Sequence, residues 1–112
     1  MSDIRELIQE INAFRDDRDW RQFHNPKDLA ISLSLEAAEL LEDFQWKTSE
    51  QAVEANMTNI KEELADVMIY AFMLSDDLNL DIKEIILEKM QKNAKKYPVK
   101  KSKGRKMKYH NL

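Results

Sequence analysis

Two pairs of acidic residues stand three apart in this chain, Glu36 with Glu39 and Glu63 with Asp66. On a helix that spacing makes both members of a pair surface neighbours. Each pair can then offer two carboxylates to one cation. Asp66 is the only charged residue between Leu64 and Leu74, a run otherwise made of Ala, Val, Met, Ile, Tyr and Phe. An ionised carboxylate in apolar surroundings is costly unless something positive compensates it. Four converging acids would also repel one another. A hard divalent cation is the simplest remedy, and Mg²⁺ takes oxygen ligands of this kind. Metal ions of that sort bridge phosphate oxygens, neutralise their charge and activate water, so the pairs point to phosphate-transfer chemistry.

The elements that must position these acids are helical. Ile4, Leu7, Ile8, Ile11 and Phe14 follow the helical period and predict a first helix over residues 3–14, with Ser2 as its cap. A polar-aromatic linker from Arg15 to Pro26 follows. The second helix is expected over 27–46. There Ser32, Glu36, Glu39 and Asp43 form a narrow polar line inside an apolar arc, with a second polar strip roughly opposite. One polar face is what an amphipathic helix needs, so the extra line is the anomaly. Residues 50–57 read as helix or loop, and the third helix is expected over 59–78. Glu63, Asp66 and Tyr70 share one of its faces. Its middle is apolar nearly all round, which predicts burial on all sides and hence oligomerisation. Asp81, with Glu84 three residues on, opens a fourth helix that Pro98 ends.

Two such helices packed antiparallel would gather the four acids at one centre. The competing expectation is that they are ordinary surface acids. A ferritin-like di-iron bundle needs an acid-x-x-His motif, and His24 and His110 sit in the linker and tail, so that reading fails. No Ser, Cys or His is placed for covalent catalysis. The single glycine, Gly104, excludes a glycine-rich phosphate loop, which leaves phosphates to metal and basic side chains.

One Gly, two Pro and no Cys in 112 residues fit a single all-helical domain without disulfides or thiolate metal sites. The opening residues lack an apolar leader, and no run approaches the roughly 20 apolar residues of a membrane span, so a cytoplasmic protein without a membrane partner is expected. Charge is uneven. Residues 1–97 carry 12 basic and 21 acidic side chains, a net −9, whereas residues 98–112 carry six basic side chains and no acid. The organisation read from this is a helical catalytic domain, 1–97, and a basic tail, 98–112. The acidic body argues against nucleic acid as a partner.

The Glu36-Ala37-Ala38-Glu39 and Glu63-Leu64-Ala65-Asp66 segments resemble the ExxE…ExxD signature of the MazG-like, all-α nucleoside triphosphate pyrophosphohydrolases. Residues 18–26, Arg-Asp-Trp-Arg-Gln-Phe-His-Asn-Pro, are similar to the RDWxQFHxP stretch of the dCTP pyrophosphatase branch. Phe44-Gln45-Trp46-Lys47 resembles its FQWK element, Glu62 to Tyr70 its EELxDVxIY helix, and Lys92 to Pro98 its KNxxKYP ending. The resemblance implies a four-helix bundle completed as a homo-oligomer, a dimer or a dimer of dimers (a homotetramer). It implies Mg²⁺ on Glu36, Glu39, Glu63 and Asp66, the four expected catalytic residues. It implies hydrolysis of a deoxynucleoside triphosphate, dCTP or a C5-modified dCTP, to monophosphate and diphosphate in nucleotide-pool house-cleaning. A MazG-like enzyme of broader or different nucleotide specificity is one alternative, and a non-catalytic helical interaction module is the other.

The remaining expected substrate residues have physical roles. Trp20 and Trp46 offer faces for base stacking, or else anchor the core or an interface. His24 hydrogen-bonds the nucleotide, or else the backbone. Tyr70 lies under the sugar and disfavours a 2′-hydroxyl, or else packs. Asn93 and Tyr97 share a helix face and would bond the triphosphate or sugar. Lys92 and Lys96 would balance phosphate charge, although lysines at a helix C-terminus also suit the helix dipole. Glu36 or Glu39 would orient or deprotonate the attacking water. The sequence does not choose between them.

Overall fold

A computed structural model describes residues 2–111, and among them every regular element is helical. The chain forms two compact units, one ending at Asn79 and the other beginning at Leu80.

In the first unit α1 spans Asp3–Asp17. The Ser2 hydroxyl accepts the Arg5 N–H at 3.2 Å, and Asp3 and Glu6 complement the dipole of the first turn. The helix runs three residues past its predicted end, because Arg15 turns inward and is wholly buried. It then closes in a Schellman turn. The Trp20 N–H donates to the Arg15 carbonyl (2.9 Å) and the Asp19 N–H to that of Asp16 (3.1 Å). Asp19 takes the left-handed conformation (φ 55°) that glycine usually supplies. A single 3₁₀ turn, Arg21–Phe23, leads to α2, Pro26–Glu42. Asn25 caps α2 by accepting the Asp28 N–H at 2.9 Å, with Pro26 in the first helical position.

α2 ends four residues before its predicted end. Tight turns carry the chain through Asp43 to Lys47, and Trp46 sits at φ 64°. The Thr48–Gln51 capping box then starts α3, Ser49–Asp77, with both reciprocal hydrogen bonds made (3.2 and 2.9 Å). α3 begins ten residues before the start expected from its period. Asn56 leaves helical geometry (φ −120°, ψ 19°) and kinks it, which separates the segment that read as helix or loop from the strongly periodic part. The Asn56 amide donates to the Asp43 carbonyl at 2.8 Å and ties the kink to the end of α2.

α2 packs along α3, and α1 packs more lightly against α3. Leu29, Ala52 and Met73 are buried in this unit. Truncating Leu29 would cost about 2–5 kcal/mol. The expected all-round burial of α3 is not found in the single chain: Leu64 is 41% and Met68 52% exposed. α2 and α1 cover only part of its circumference.

In the second unit α4 spans Ile82–Lys96. The Asp81 carboxylate caps it by accepting the Glu84 N–H at 2.9 Å. After Pro98 come a short helix α5, Val99–Ser102, and a 3₁₀ turn, Tyr109–Asn111. The basic segment folds back on the end of α4. The Tyr109 ring meets Tyr97 edge-on (6.1 Å) and the Lys96 ammonium lies 4.9 Å from its centre. No helix of the described residues is long and apolar enough to cross a membrane.

Candidate acidic site between two helices

α2 packs along α3, and the electrostatics of the two helices locate the acids. Glu36 is held above its ordinary value, first by burial, then by hydrogen bonding to Glu39 and by the charges of Glu39 and Asp66. Glu63 is pushed up to about 7, first by hydrogen bonding to Asp43, then by burial and by the charges of Asp43, Glu39 and Glu42. The four expected acids therefore feel one another's charge across α2 and α3, Asp66 and Glu39 acting on Glu36, and Glu39 on Glu63. The structure adds Asp43, which is buried, to the set. Asp43 falls on the polar line of α2 four residues after Glu39, so its position was visible in the helical projection. Its pairing with Glu63 depends on how α2 and α3 register.

Asp66 differs from its expected setting. Glu36 and Glu63 are half-buried, but Asp66 and Glu39 are exposed. The apolar run around Asp66 is not enclosed in one chain, so its carboxylate keeps access to water.

The donor chemistry fits a hard cation. Oε2 of Glu36, Oδ2 of Asp43 and Oε2 of Glu63 are buried and have no hydrogen-bond partner. Orphaned carboxylate oxygens facing other carboxylates are what a divalent ion would satisfy. The side chains meet in pairs, and among the described residues no three acids, His or Cys close into a ready ligand shell. Any ion held here would take further oxygens from water or from a bound phosphate, as Mg²⁺ commonly does.

At Asp66 lies a cleft of about 430 Å³ lined by Asp66, Tyr70, Ile69 and Met73 of α3, Glu10, Ile11 and Phe14 of α1, and Trp20. Three sequence-predicted residues, Trp20, Tyr70 and Asp66, thus meet at one opening. Phe14 stacks edge-on against Trp20 (5.7 Å), and the Arg18 guanidinium covers the Phe14 ring at 3.7 Å. The cleft is mostly apolar with two acids, Glu10 and Asp66, at its wall, as a small-molecule site with a few polar groups usually is.

His24 lies elsewhere. Its Nδ1 is 3.3 Å from the Arg15 guanidinium, and it borders a second hollow with Asp76, Asp77 and Asn79. Burial and Arg15 lower its pKa below 6.5, with Asp77 opposing and Arg21 adding to the shift. Trp46 stands 97% exposed on its left-handed backbone. A non-glycine residue so held costs of order 1–3 kcal/mol, a strain that concentrates at functional positions. Lys92, Asn93, Lys96 and Tyr97 belong to the second unit. Lys92, Asn93 and Lys96 are exposed, and the Tyr97 N–H donates to the Asn93 carbonyl at 2.8 Å.

Among known proteins, the chain matches the MazG-like family over residues 31–112. It is 38% identical to dCTP pyrophosphatase 1 of Mus musculus across 117 aligned residues, which span all of this chain and 67% of that protein. The dCTP pyrophosphatase 1 of Homo sapiens is 36% identical over the same shares. The crystal structure of a pyrophosphatase from Archaeoglobus fulgidus superposes with a TM-score of 0.82 at 41% identity, covering 88% of this chain and 94% of that one.

Proposed function

Because this chain belongs to the MazG-like family, we propose that it is a nucleoside triphosphate pyrophosphohydrolase that converts dCTP, or a C5-modified dCTP, and water to dCMP and diphosphate. The observation that carries the reading is the acidic cluster itself. Glu36, Asp43 and Glu63 carry orphaned buried oxygens, and Asp66 of the same cluster lines the cleft that holds Trp20 and Tyr70.

In this reading Glu36, Glu39, Glu63 and Asp66 would hold Mg²⁺, which when bound would supply neutralisation of phosphate charge at the α-phosphorus that water attacks. Asp43, the first cause of the raised Glu63 pKa, orients Glu63 in this reading. Glu36 or Glu39 orients or deprotonates the attacking water in this reading. Trp20 stacks on the base, worth about 1–3 kcal/mol. Tyr70, on the same wall as Asp66, packs under the sugar. Trp46 serves as a second stacking face or an interface anchor. His24 contributes a hydrogen bond to the nucleotide from the loop that carries Trp20. Lys92, Asn93, Lys96 and Tyr97 supply positive charge and hydrogen bonds for phosphate or sugar. The domain is residues 1–97, with 98–112 as its basic tail, and it works as a homo-oligomer in the cytoplasm.

Product analysis with dCTP and Mg²⁺ tests the reaction. Diphosphate and dCMP are expected. Orthophosphate and dCDP would refute attack at the α-phosphorus. A panel of ATP, GTP, dTTP and dCTP tests the base preference, and equal turnover of all four would replace it with broad specificity.

A further inference from the structure

Arg15 is the most completely buried charged residue of the described chain, at 0% exposure, and nothing in the proposed chemistry uses it. A guanidinium carries five N–H donors, and burying one is costly unless they are met. Here each of its nitrogens is engaged. Nη2 and Nη1 donate to the two carboxylate oxygens of Asp77 at 2.6 and 3.1 Å, a bidentate fork. Nε and Nη2 donate to Oδ1 of Asn12 at 3.0 and 2.8 Å. Nη1 also faces Nδ1 of His24 at 3.3 Å. Asn12 in turn donates to Asp76 at 2.9 Å. One side chain therefore ties together the end of α1, the far end of the following loop and the last turn of α3.

The same residue holds that loop a second time through its backbone, since its carbonyl accepts the Trp20 N–H at 2.9 Å. Trp20 is the loop residue that enters the cleft with Asp66 and Tyr70. Arg15 thus fastens the loop twice, at Trp20 through its carbonyl and at His24 through its guanidinium. The anchor point, Asp77, is on the helix that carries Asp66 and Tyr70. We propose that Arg15 is a positioning residue. Through Asp77 it fixes the loop of residues 18–24 on α3 and so sets the Trp20 ring against the Asp66–Tyr70 wall. The inference rests on the reading of Trp20 as the base-stacking face.

The geometry explains why an arginine stands here. A lysine has one nitrogen and cannot make the bidentate fork to Asp77 while also reaching Asn12 and His24. It also separates binding from chemistry. Arg15 touches none of the acids that would hold the metal, so loosening it should misplace the base more than the α-phosphorus.

The test uses the full chain labelled with 5-fluorotryptophan, whose two ¹⁹F resonances are assigned with Trp20→Phe and Trp46→Phe. Arg15→Lys and the milder Asp77→Asn are compared with the wild type. In both, KM for dCTP is expected to rise about tenfold while kcat changes less than about threefold, the signature of misplaced binding. The Trp20 resonance should shift and broaden and the Trp46 resonance should stay. If Arg15→Lys does not fold, Asp77→Asn carries the test, because the amide it introduces retains one acceptor for the guanidinium. An unmoved Trp20 resonance with unchanged KM, alongside a lower melting temperature, would reduce Arg15 to a structural role and overturn the proposal. So would a moved resonance with unchanged KM. Trp20→Ala distinguishes the two readings: if it leaves KM unchanged, the stacking assignment falls first.

Discussion

Glu63 shows how the site is tuned at the level of single residues. Its carboxyl is pushed up to about 7 by the hydrogen bond to Asp43, by burial and by the neighbouring acids, from an ordinary value of 4.5. A carboxyl raised on folding contributes stability that is fully present below 4.5 and is lost as pH rises through about 7. Metal-free protein should therefore melt at lower temperature at pH 8 than at pH 5, and Glu63→Gln should flatten that difference. Differential scanning fluorimetry in chelator checks it, and equal slopes for the two proteins would count against the pairing. A cation at Glu63 would compete with the proton that its raised pKa favours, so Mg²⁺ should raise the melting temperature more at pH 8 than at pH 6. Glu63→Gln and Asp66→Asn should each lower Mg²⁺ affinity and hydrolysis by about 10- to 100-fold or more. Unchanged affinity and turnover in both would remove the acids from the metal site. At this scale much was legible: the pairs, their shared face and even the line that contains Asp43 follow from helical spacing. The depth of each acid was not. Asp66 sits in an apolar run and was expected to be buried, yet it is exposed because one chain does not enclose that run.

Helix ends decide how the site is held, and they are where sequence reading and structure part. Caps with side chains that speak locally were readable: Ser2 and Asp81 both stand where the helices begin. The ends governed by distant partners were not. Arg15 reads as part of a polar linker because nothing nearby in sequence announces Asp77. The end of α2 reads as lying at Trp46 because Phe44 and Trp46 keep the apolar pattern, whereas the chain turns after Glu42. The kink at Asn56 belongs to the same class. Its amide holds the Asp43 carbonyl at 2.8 Å, so the break in α3 fixes the residue that hydrogen-bonds Glu63. Asn56→Ala removes that tie and leaves a part-buried carbonyl without its donor. The expected cost is about 1 kcal/mol in urea denaturation. On the proposal that Asp43 orients Glu63, Mg²⁺ affinity should also fall, measured by calorimetry. A stability loss with unchanged affinity would show that the kink serves α3 alone.

For the whole molecule, the question is what covers the apolar surface that one chain leaves bare. Ile31, Leu35 and Leu41 on α2 and Leu64 and Met68 on α3 are all 41% exposed or more, on the two helices that carry the acids. Isolated apolar residues at a surface are ordinary, but several on two packed helices mark an association face. The short set of buried apolar side chains points the same way, since among the described apolar residues of the first unit only Leu29, Ala52 and Met73 are buried. A second copy of the chain is the occupant we expect, because the same helices would then complete one another's cover, and a twofold assembly is the commonest solution. The wild type should sediment well above the 13.3 kDa of one chain, as a dimer or a dimer of dimers. Leu64→Lys with Met68→Glu places charges on that face without touching a carboxylate of the site. The double variant should sediment as a monomer and melt at a lower temperature. Because uncovering α3 also admits water around Asp66, it should lose Mg²⁺-dependent stabilisation together with its partner. A variant that stays oligomeric at full stability would place the interface elsewhere. A wild type that sediments as a monomer at micromolar concentration would leave α3 as exposed in solution as it is in the single chain.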